Sequence, residues 1–256
     1  MIDPIALQLG PIKIHWYGIA YIVALTVGIW ILTGLNKKQK AFKSSNQIFD
    51  FAFWLFLFGV IIGGRLGYVL FYNFSYYIAH PTKIWAIWEG GMSFHGGLIG
   101  VFIVAWLYCR KHKINFIKMA DIAVIPSALA LFFTRIANFI NGELIGRVIE
   151  NPYCKWLGVD FGDGFSRYPS QLFQSISALI LFLILILIFR TKPKKGILLF
   201  SYLGLYGLFR FITEFYREPD SQIGFIWQYF TLGQILSFAL VLIGIWGIFR
   251  STHGNA

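Results

Sequence analysis

Seven apolar stretches of about 20 residues recur along the sequence, and no other feature constrains the fold as strongly. A stretch of this length crosses a bilayer as a helix. With 57% hydrophobic and 13% charged residues, the 256-residue chain is too apolar for an ordinary soluble domain. We predict an all-α, polytopic membrane protein with seven transmembrane helices, forming one domain over residues 1–256. The predicted helices are Trp16–Leu35, Phe51–Tyr72, Met92–Tyr108, Ile122–Ile140, Leu172–Phe189, Gly196–Phe215 and Tyr229–Phe249.

The basic residues predict the orientation of the chain in the membrane. A formal net charge of +11 could by itself suggest a nucleic-acid partner. The lysines and arginines instead cluster in the loops of one side, within residues 37–43, 110–118 and 190–195 and at Arg250. The positive-inside bias places these loops in the cytoplasm, with the N-terminus outside and the C-terminus inside. We expect the loops to contact anionic membrane lipids, and we expect no nucleic-acid partner.

Two segments between the predicted helices fall on the outer face. Residues 73–91 are rich in aromatic side chains, which predicts a short helix along the membrane interface. Residues 141–168 form the longest polar insertion, and loops of that length tend to be functional or disordered. Cys109 and Cys154 fall on opposite faces of the membrane, so they do not pair with each other. Neither cysteine has neighbours suited to a metal, and we expect no metal or cofactor.

Arginines inside apolar helices need partners, because charged side chains at membrane depth usually face the interior of the bundle. Arg65, Arg135 and Arg210 lie on the three outward-running helices, roughly 8 to 11 Å below their outer ends at a rise of 1.5 Å per residue. Three buried cations at one depth require an anion. A phosphate fits, since the planar guanidinium group binds it through two parallel hydrogen bonds. The pattern predicts a lipid-headgroup site in the outer half of the bilayer.

Polar residues at helical spacing accompany two of these arginines. Asn138 shares a helix face with Arg135, and Glu214 and Arg217 share a face with Arg210. An ion pair between Arg210 and Glu214 could simply neutralise itself. The additional cation at Arg217 argues instead for an anionic ligand.

Simpler interpretations stay open at several of these positions. Arg65 could extend its charge to the outer headgroups, and the glycines beside it could serve only close helix packing. Tyr17 could anchor the chain at the interface instead of contacting a ligand. His95, which is flanked by the glycine pairs Gly90–Gly91 and Gly96–Gly97, could be structural or catalytic.

Six segments of the sequence resemble the prolipoprotein diacylglyceryl transferase family, in order and through nearly the whole chain. They are HWYG (His15–Gly18), GGRLGYVLFYNF (Gly63–Phe74), GGMSFHGGLIG (Gly90–Gly100), RIANFINGELIGR (Arg135–Arg147), YPSQL (Tyr168–Leu172) and YGLFRFITEFYREPD (Tyr206–Asp220). The resemblance implies a seven-helix enzyme of the bacterial cytoplasmic (inner) membrane with its active site toward the outer leaflet. Such an enzyme transfers diacylglycerol from phosphatidylglycerol to the lipobox cysteine in the signal peptide of a preprolipoprotein. The products are a thioether and glycerol phosphate.

The resemblance also implies which residues carry the function. We predict that Arg135 and Arg210 hold the phosphate, with Asn138 and Tyr206 as hydrogen-bonding support. The full set of matching positions is Tyr17, His95, Arg135, Asn138, Glu143, Gly146, Tyr206, Arg210, Glu214 and Arg217, and the depth pattern adds Arg65 as a substrate contact.

The proton acceptor of the reaction has several candidates. The attacking cysteine must become a thiolate, and nearby cations favour that form. His95 is the predicted catalytic base, because imidazole changes its charge near neutral pH. Glu143 and Glu214 are alternatives, and the positive field of the arginines could make a strong base unnecessary.

Three residues depart from the usual pattern of the family. Thr134 and Ala137 stand where glycines usually flank the arginine, so the local packing could differ. Gln174 stands where the family commonly has an acid, so a proton role at this position is in doubt.

Two other classes of protein also place charges within a membrane. A transporter or flippase would surround a lipid site with such charges, and it often shows an internal repeat, which is not evident here. A membrane scaffold without catalytic activity would not need three arginines, Arg65, Arg135 and Arg210, at one depth in the membrane.

Overall fold

The computed structural model describes residues 3–10, 12–219, 224–226 and 229–253, and helices dominate it. The α-helices are α1 (Trp16–Gln39), α2 (Ser45–Trp54), α3 (Gly63–Phe71), α4 (Phe74–Ala79), α5 (Phe94–His112), α6 (Phe116–Ile140), α7 (Ser170–Arg190), α8 (Ile197–Glu214) and α9 (Leu232–His253). A π-helical segment, Leu55–Ile62, joins α2 to α3. Two antiparallel hairpins are formed by β1 (Ile5–Leu9) with β2 (Ile12–His15) and by β3 (Phe225–Ile226) with β4 (Phe230–Thr231).

Six helices within these ranges are long and apolar enough to cross a membrane. They are α1, the continuous helix Ser45–Phe71, α6, α7, α8 and α9. The prediction of an all-α, multi-pass membrane protein is therefore confirmed. The remaining predicted span, Met92–Tyr108, is also helical, as most of α5, but it is not one of the six. A glycine-rich start and the basic end Arg110, Lys111 and His112 make this helix less apolar.

The chain forms two compact units. The first unit comprises Met1–Leu32 and Ala120–Ala256, and the second comprises Thr33–Met119. In the first unit, glycines bring α8 and α9 into close contact: a Cβ added at Gly244 would lie 2.5 Å from the Cα of Gly204. Small residues allow such close approach of helix backbones, and the dispersion contacts so gained stabilise the pair.

In the second unit, glycines place α3 directly against α5. A Cβ added at Gly67 would lie 2.5 Å from the Cα of Gly96, and one added at Gly96 would lie 2.5 Å from the carbonyl oxygen of Gly63. The simpler interpretation of the glycines around Arg65, close helix packing, is therefore confirmed. Ser93 caps α5 by accepting a hydrogen bond from the Gly96 amide at 3.1 Å.

The predicted outer segments are irregular, not single helices. Residues 73–91 contain the short α4 and two 3₁₀ turns, Pro81–Trp85 and Ile87–Glu89. Residues 141–168 contain one 3₁₀ helix, Pro152–Leu157, backbone bridges from Val148 and Val159 to Arg167 within the segment, and one bridge from Gly146 to Arg217. Asp220, the last residue of the sixth family-like segment, lies outside the described residues.

Candidate active site

A chain of hydrogen bonds starts at Arg135 near the end of α6. Arg135 Nη1 donates to Asn138 Oδ1 at 3.1 Å, and Asn138 Nδ2 donates to Glu143 Oε2 at 2.9 Å. Asn141 Nδ2 donates to the other oxygen of Glu143 at 3.3 Å. Asn138 is buried, so its amide is held in one orientation and fixes one edge of the guanidinium group. The predicted pairing of Arg135 with Asn138 on one helix face is confirmed.

A second polar cluster joins the end of α8 to the start of α9. Arg210 Nη1 and Glu214 Oε2 form an ion pair one helical turn apart. The Glu214 carboxylate is buried and accepts a hydrogen bond from Thr231 Oγ1 at 3.0 Å. Thr231 and Gln234 cap α9 reciprocally, with bonds of 3.0 and 3.2 Å. The start of α9 therefore fixes the carboxylate that faces Arg210.

A small cavity within the first unit brings the two arginines together. Arg135, Tyr206 and Arg210 line it, and the remaining wall is mostly apolar. Tyr17 and Arg217 lie in the neighbourhood of Arg135. The cavity is therefore lined by Arg135, Tyr206 and Arg210, while Asn138 and Glu214 contact the two arginines and Tyr17 lies nearby. The other residues lining the cavity are Leu131, Gln174, Ser177, Ala178, Leu181, Phe209 and Thr213.

Short backbone pairings lie beside the C-terminal ends of α6 and α8 and the N-terminal end of α7. Gly146 pairs with Arg217, and Tyr168 N donates to Arg147 O at 3.0 Å. A Cβ added at Gly146 would overlap with the carbonyl oxygen of Tyr168, so only glycine fits between these backbone segments. Arg167 links the same region by donating to Gly146 O at 3.0 Å. These pairings give Gly146 and the backbone of Arg217 a clear role in packing.

Arg65, in the second unit, is buried and bound to the main chain. Its Nε donates to Ile84 O at 2.8 Å and its Nη2 to Lys83 O at 2.6 Å, while Nη1 donates to Gly90 and Gly91. The guanidinium also lies over the ring of Tyr77, 5.2 Å from its centroid. Arg65 therefore holds the outer segment 73–91 in place.

His95, also in the second unit, lies in the first turn of α5. Its side chain is exposed, and its ring meets the ring of Phe94 edge to face with centroids 5.7 Å apart. An exposed imidazole at the start of a helix is accessible to a proton donor. Its role as a base stays a prediction.

One face of α7 carries site residues that the sequence interpretation missed. The sequence predicts an apolar transmembrane helix over Leu172–Phe189 and marks only Gln174 on it, but Ser177, Ala178 and Leu181 line the cavity as well. Polar or small residues at intervals of three and four residues were the available signal. Thr231 was missed as well, because its contact with Glu214 joins residues 17 positions apart.

No three His, Cys, Asp or Glu side chains converge to hold a metal ion in the described ranges. The donor set instead contains guanidinium, amide and hydroxyl groups, which bind anions. Apolar spans with two arginines around a cavity define a multi-pass membrane protein with a positively charged cavity between its helices. A family model described as prolipoprotein diacylglyceryl transferase matches residues 4–250. The chain belongs to the prolipoprotein diacylglyceryl transferase family, which excludes the scaffold and flippase alternatives.

Relatives from several bacteria match nearly the whole chain. A phosphatidylglycerol–prolipoprotein diacylglyceryl transferase from Geobacter sulfurreducens is 42% identical over 247 residues, covering 95% of this chain and 93% of the relative. A protein of the same name from Francisella tularensis subsp. holarctica is 44% identical over 263 residues, covering 99% and 96%. The one from Nitrobacter hamburgensis is 42% identical over 252 residues, covering 95% and 86%.

Proposed function

We propose a site and a mechanism for the activity that family membership provides, transfer of a diacylglyceryl group from phosphatidylglycerol to a prolipoprotein. The observation that carries the proposal is the cavity between α6, α7 and α8, into which Arg135 and Arg210 both project. Its mostly apolar wall suits a group that enters from the lipid. Its two guanidinium groups suit the single negative charge of a phosphodiester.

The charges around the cavity support this assignment. The charge of Arg210 is offset by Glu214, whereas Arg135 donates to a neutral amide oxygen of Asn138. A phosphodiester monoanion would therefore complement the positive charge of Arg135 while Arg210 supplies further donors. Tyr206 lines the same cavity, and we assign its hydroxyl a hydrogen bond to the phosphate.

The reaction is a displacement at a saturated carbon. The sulfur of the lipobox cysteine attacks the carbon of the diacylglyceryl group that is bonded to the phosphate oxygen. A C–S bond forms and the C–O bond at that carbon breaks. The leaving oxygen keeps the electron pair and departs as glycerol phosphate. The arginines stabilise the charge that grows on the phosphate as the bond breaks. The thiol proton is taken up by a base.

We assign the proton to His95, since imidazole is the side chain that accepts a proton near neutral pH. The carboxylates of the two alternatives already accept hydrogen bonds, Glu143 from two amides and Glu214 from a threonine and an arginine. Replacing His95 by Asn tests the assignment. Turnover that is retained across the pH range would remove His95 from the proton role.

The other predicted residues receive supporting roles in the proposal. For Tyr17 and Arg217, which lie in the neighbourhood of Arg135, we propose contact with the headgroup or the leaving glycerol phosphate. Glu143 orients Asn138, and Gly146 allows the close backbone packing beside the site. For Arg65, whose Nε, Nη1 and Nη2 donate to backbone carbonyls, we propose that only its positive charge acts on the substrate headgroup.

We also propose the arrangement in the membrane. With α5 as the seventh span, the N-terminus lies outside and the C-terminus lies in the cytoplasm, as the basic loops favour. The cavity then opens toward the outer leaflet, where the lipobox of a signal peptide arrives. Fusion of a reporter that is active only outside the cytoplasm, after residue 91 and after residue 113, tests the orientation of α5. Equal activity of both fusions would contradict a span at this position.

Replacing each arginine tests the proposed site. Arg135→Gln and Arg210→Gln should each abolish transfer to a lipobox peptide, and both should weaken phosphatidylglycerol binding, because a neutral amide cannot replace the charge. Arg190→Gln is the matched control, since Arg190 is exposed at the far end of α7. Mass spectrometry of the peptide measures transfer, and size-exclusion chromatography checks the fold. Folded variants with normal transfer would refute the site.

A further inference from the structure

Gln174 on α7 has a hydrogen-bond donor without a partner. The residue is 8% exposed, and it lines the same cavity as Arg135 and Arg210. Among the described residues, its buried Nε2 meets no acceptor. A buried amide donor in this state costs free energy until an acceptor reaches it. The structure therefore presents two cations and one neutral donor to the same space.

Three other polar side chains in the first turns of α7 use their donors within the protein. Gln171 Nε2 donates to Glu143 O at 2.6 Å, and Ser175 Oγ donates to Phe132 O at 3.1 Å. Ser177 Oγ donates to Phe173 O at 2.8 Å within the helix. Gln174 differs from these three residues because its Nε2 donates to no acceptor among the described residues, which indicates that the amide is available to a ligand.

We propose that Gln174 is a lipid-binding residue whose Nε2 donates to a phosphate oxygen of phosphatidylglycerol. The inference rests on the proposed function and adds a neutral contact to the two arginines. Its amide does not ionise near neutral pH, so position 174 takes no proton in this chain.

Removing the donor tests the role of Gln174. Gln174→Met keeps the length of the side chain but cannot donate, and Gln174→Ala removes it without a clash. A hydrogen bond to a charged group corresponds to a change of about tenfold to a hundredfold in affinity. Both variants should raise the KM for phosphatidylglycerol by about that factor. Dioleoylglycerol, which lacks the phosphate, should inhibit both variants as strongly as it inhibits the unaltered enzyme.

The control is Ser175→Ala, which alters a buried polar contact of the same helix away from the cavity. It should leave the KM unchanged. A purely structural role of Gln174 would lower the amount of active enzyme without raising the KM.

An unchanged KM in both Gln174 variants would overturn the inference. If Arg135→Gln and Arg210→Gln also keep a normal KM, the proposed function fails as well. If the arginine variants lose binding while the Gln174 variants do not, only the role of Gln174 is refuted.

Discussion

A methyl group added at Gly233 should disturb the cavity through Glu214. An ideal Cβ at this position would lie 2.5 Å from Glu214 Oε1 and 2.9 Å from the carboxyl carbon. Because the obstructing atoms belong to the end of a side chain, we expect the carboxylate to rotate away and the helix backbones to stay in place. Rotation removes the 3.0 Å hydrogen bond from Thr231 and tilts the ion pair with Arg210.

The expected size follows from the contacts that are lost. A hydrogen bond to a charged group contributes about 1.5 to 3 kcal/mol. Alanine in place of glycine within a helix returns about 1 kcal/mol. Gly233→Ala should therefore lower the free energy of unfolding by about 0.5 to 2 kcal/mol if Arg210 follows the carboxylate. The loss rises to about 3 to 5 kcal/mol if the buried ion pair breaks.

The measurement combines stability and kinetics. Unfolding in mixed detergent micelles gives the loss of stability, and the KM for phosphatidylglycerol should rise because Arg210 no longer points at the phosphate. Thr231→Val should reproduce part of both the loss of stability and the rise in KM. Thr231→Ser keeps the hydroxyl and should leave stability and KM close to those of the unaltered enzyme. Gly34→Ala on α1 is the control, because a Cβ there meets no atom within 4 Å. A Gly233→Ala enzyme with unchanged stability and KM would refute the role of Glu214 in orienting Arg210.

Two further predictions concern packing and pH. Gly96→Ala should destabilise the second unit by about 1 to 3 kcal/mol, because the new Cβ would lie 2.5 Å from the carbonyl oxygen of Gly63 and the backbone must move. Thermal unfolding followed by circular dichroism measures the loss of stability. An unchanged unfolding midpoint would contradict the prediction. The hydrogen bond from Arg167, at 2.5 Å, holds the pKa of the Asp163 carboxyl below its usual range. A depressed pKa means that this contact is complete above the unfolded value of about 3.9 and is lost only as the pH falls through the lower folded value. An NMR titration of the Arg167 Nε–H signal should show this, and Asp163→Asn should abolish the transition.

The apolar spans could be predicted from the sequence because length and hydropathy alone fix a helix in a bilayer. α5 shows the limit of this argument. Its first turn carries His95 and its packing face carries glycines, so its composition is less apolar than that of its neighbours. The glycines serve contact with α3, which composition does not reveal. The β1–β2 hairpin was equally hidden, since its short apolar run suits more than one structure.

The charged part of the site could be predicted because charge is rare and costly within a membrane. Arg135, Arg210 and Glu214 stand out in apolar helices for that reason. Gln174 does not, since a glutamine near a helix start is common and its importance depends on what lies opposite. Thr231 depends in the same way on tertiary contact. Residues of this kind become visible only when the helices have packed.

Arg65 and Arg135 lie at the same predicted depth but make different contacts: Arg65 binds backbone carbonyls, and Arg135 lines the cavity. Its Nε, Nη1 and Nη2 all donate to carbonyls of residues 83–91, so its positive charge remains while most of its donors are occupied. Arg135, in contrast, lines the cavity and donates to an amide side chain. A phosphate needs both charge and free donor geometry to be held in one orientation. Burial depth therefore identifies arginines that require a partner, and the atoms that accept their hydrogen bonds distinguish an arginine that supports the backbone from one that is available to a ligand.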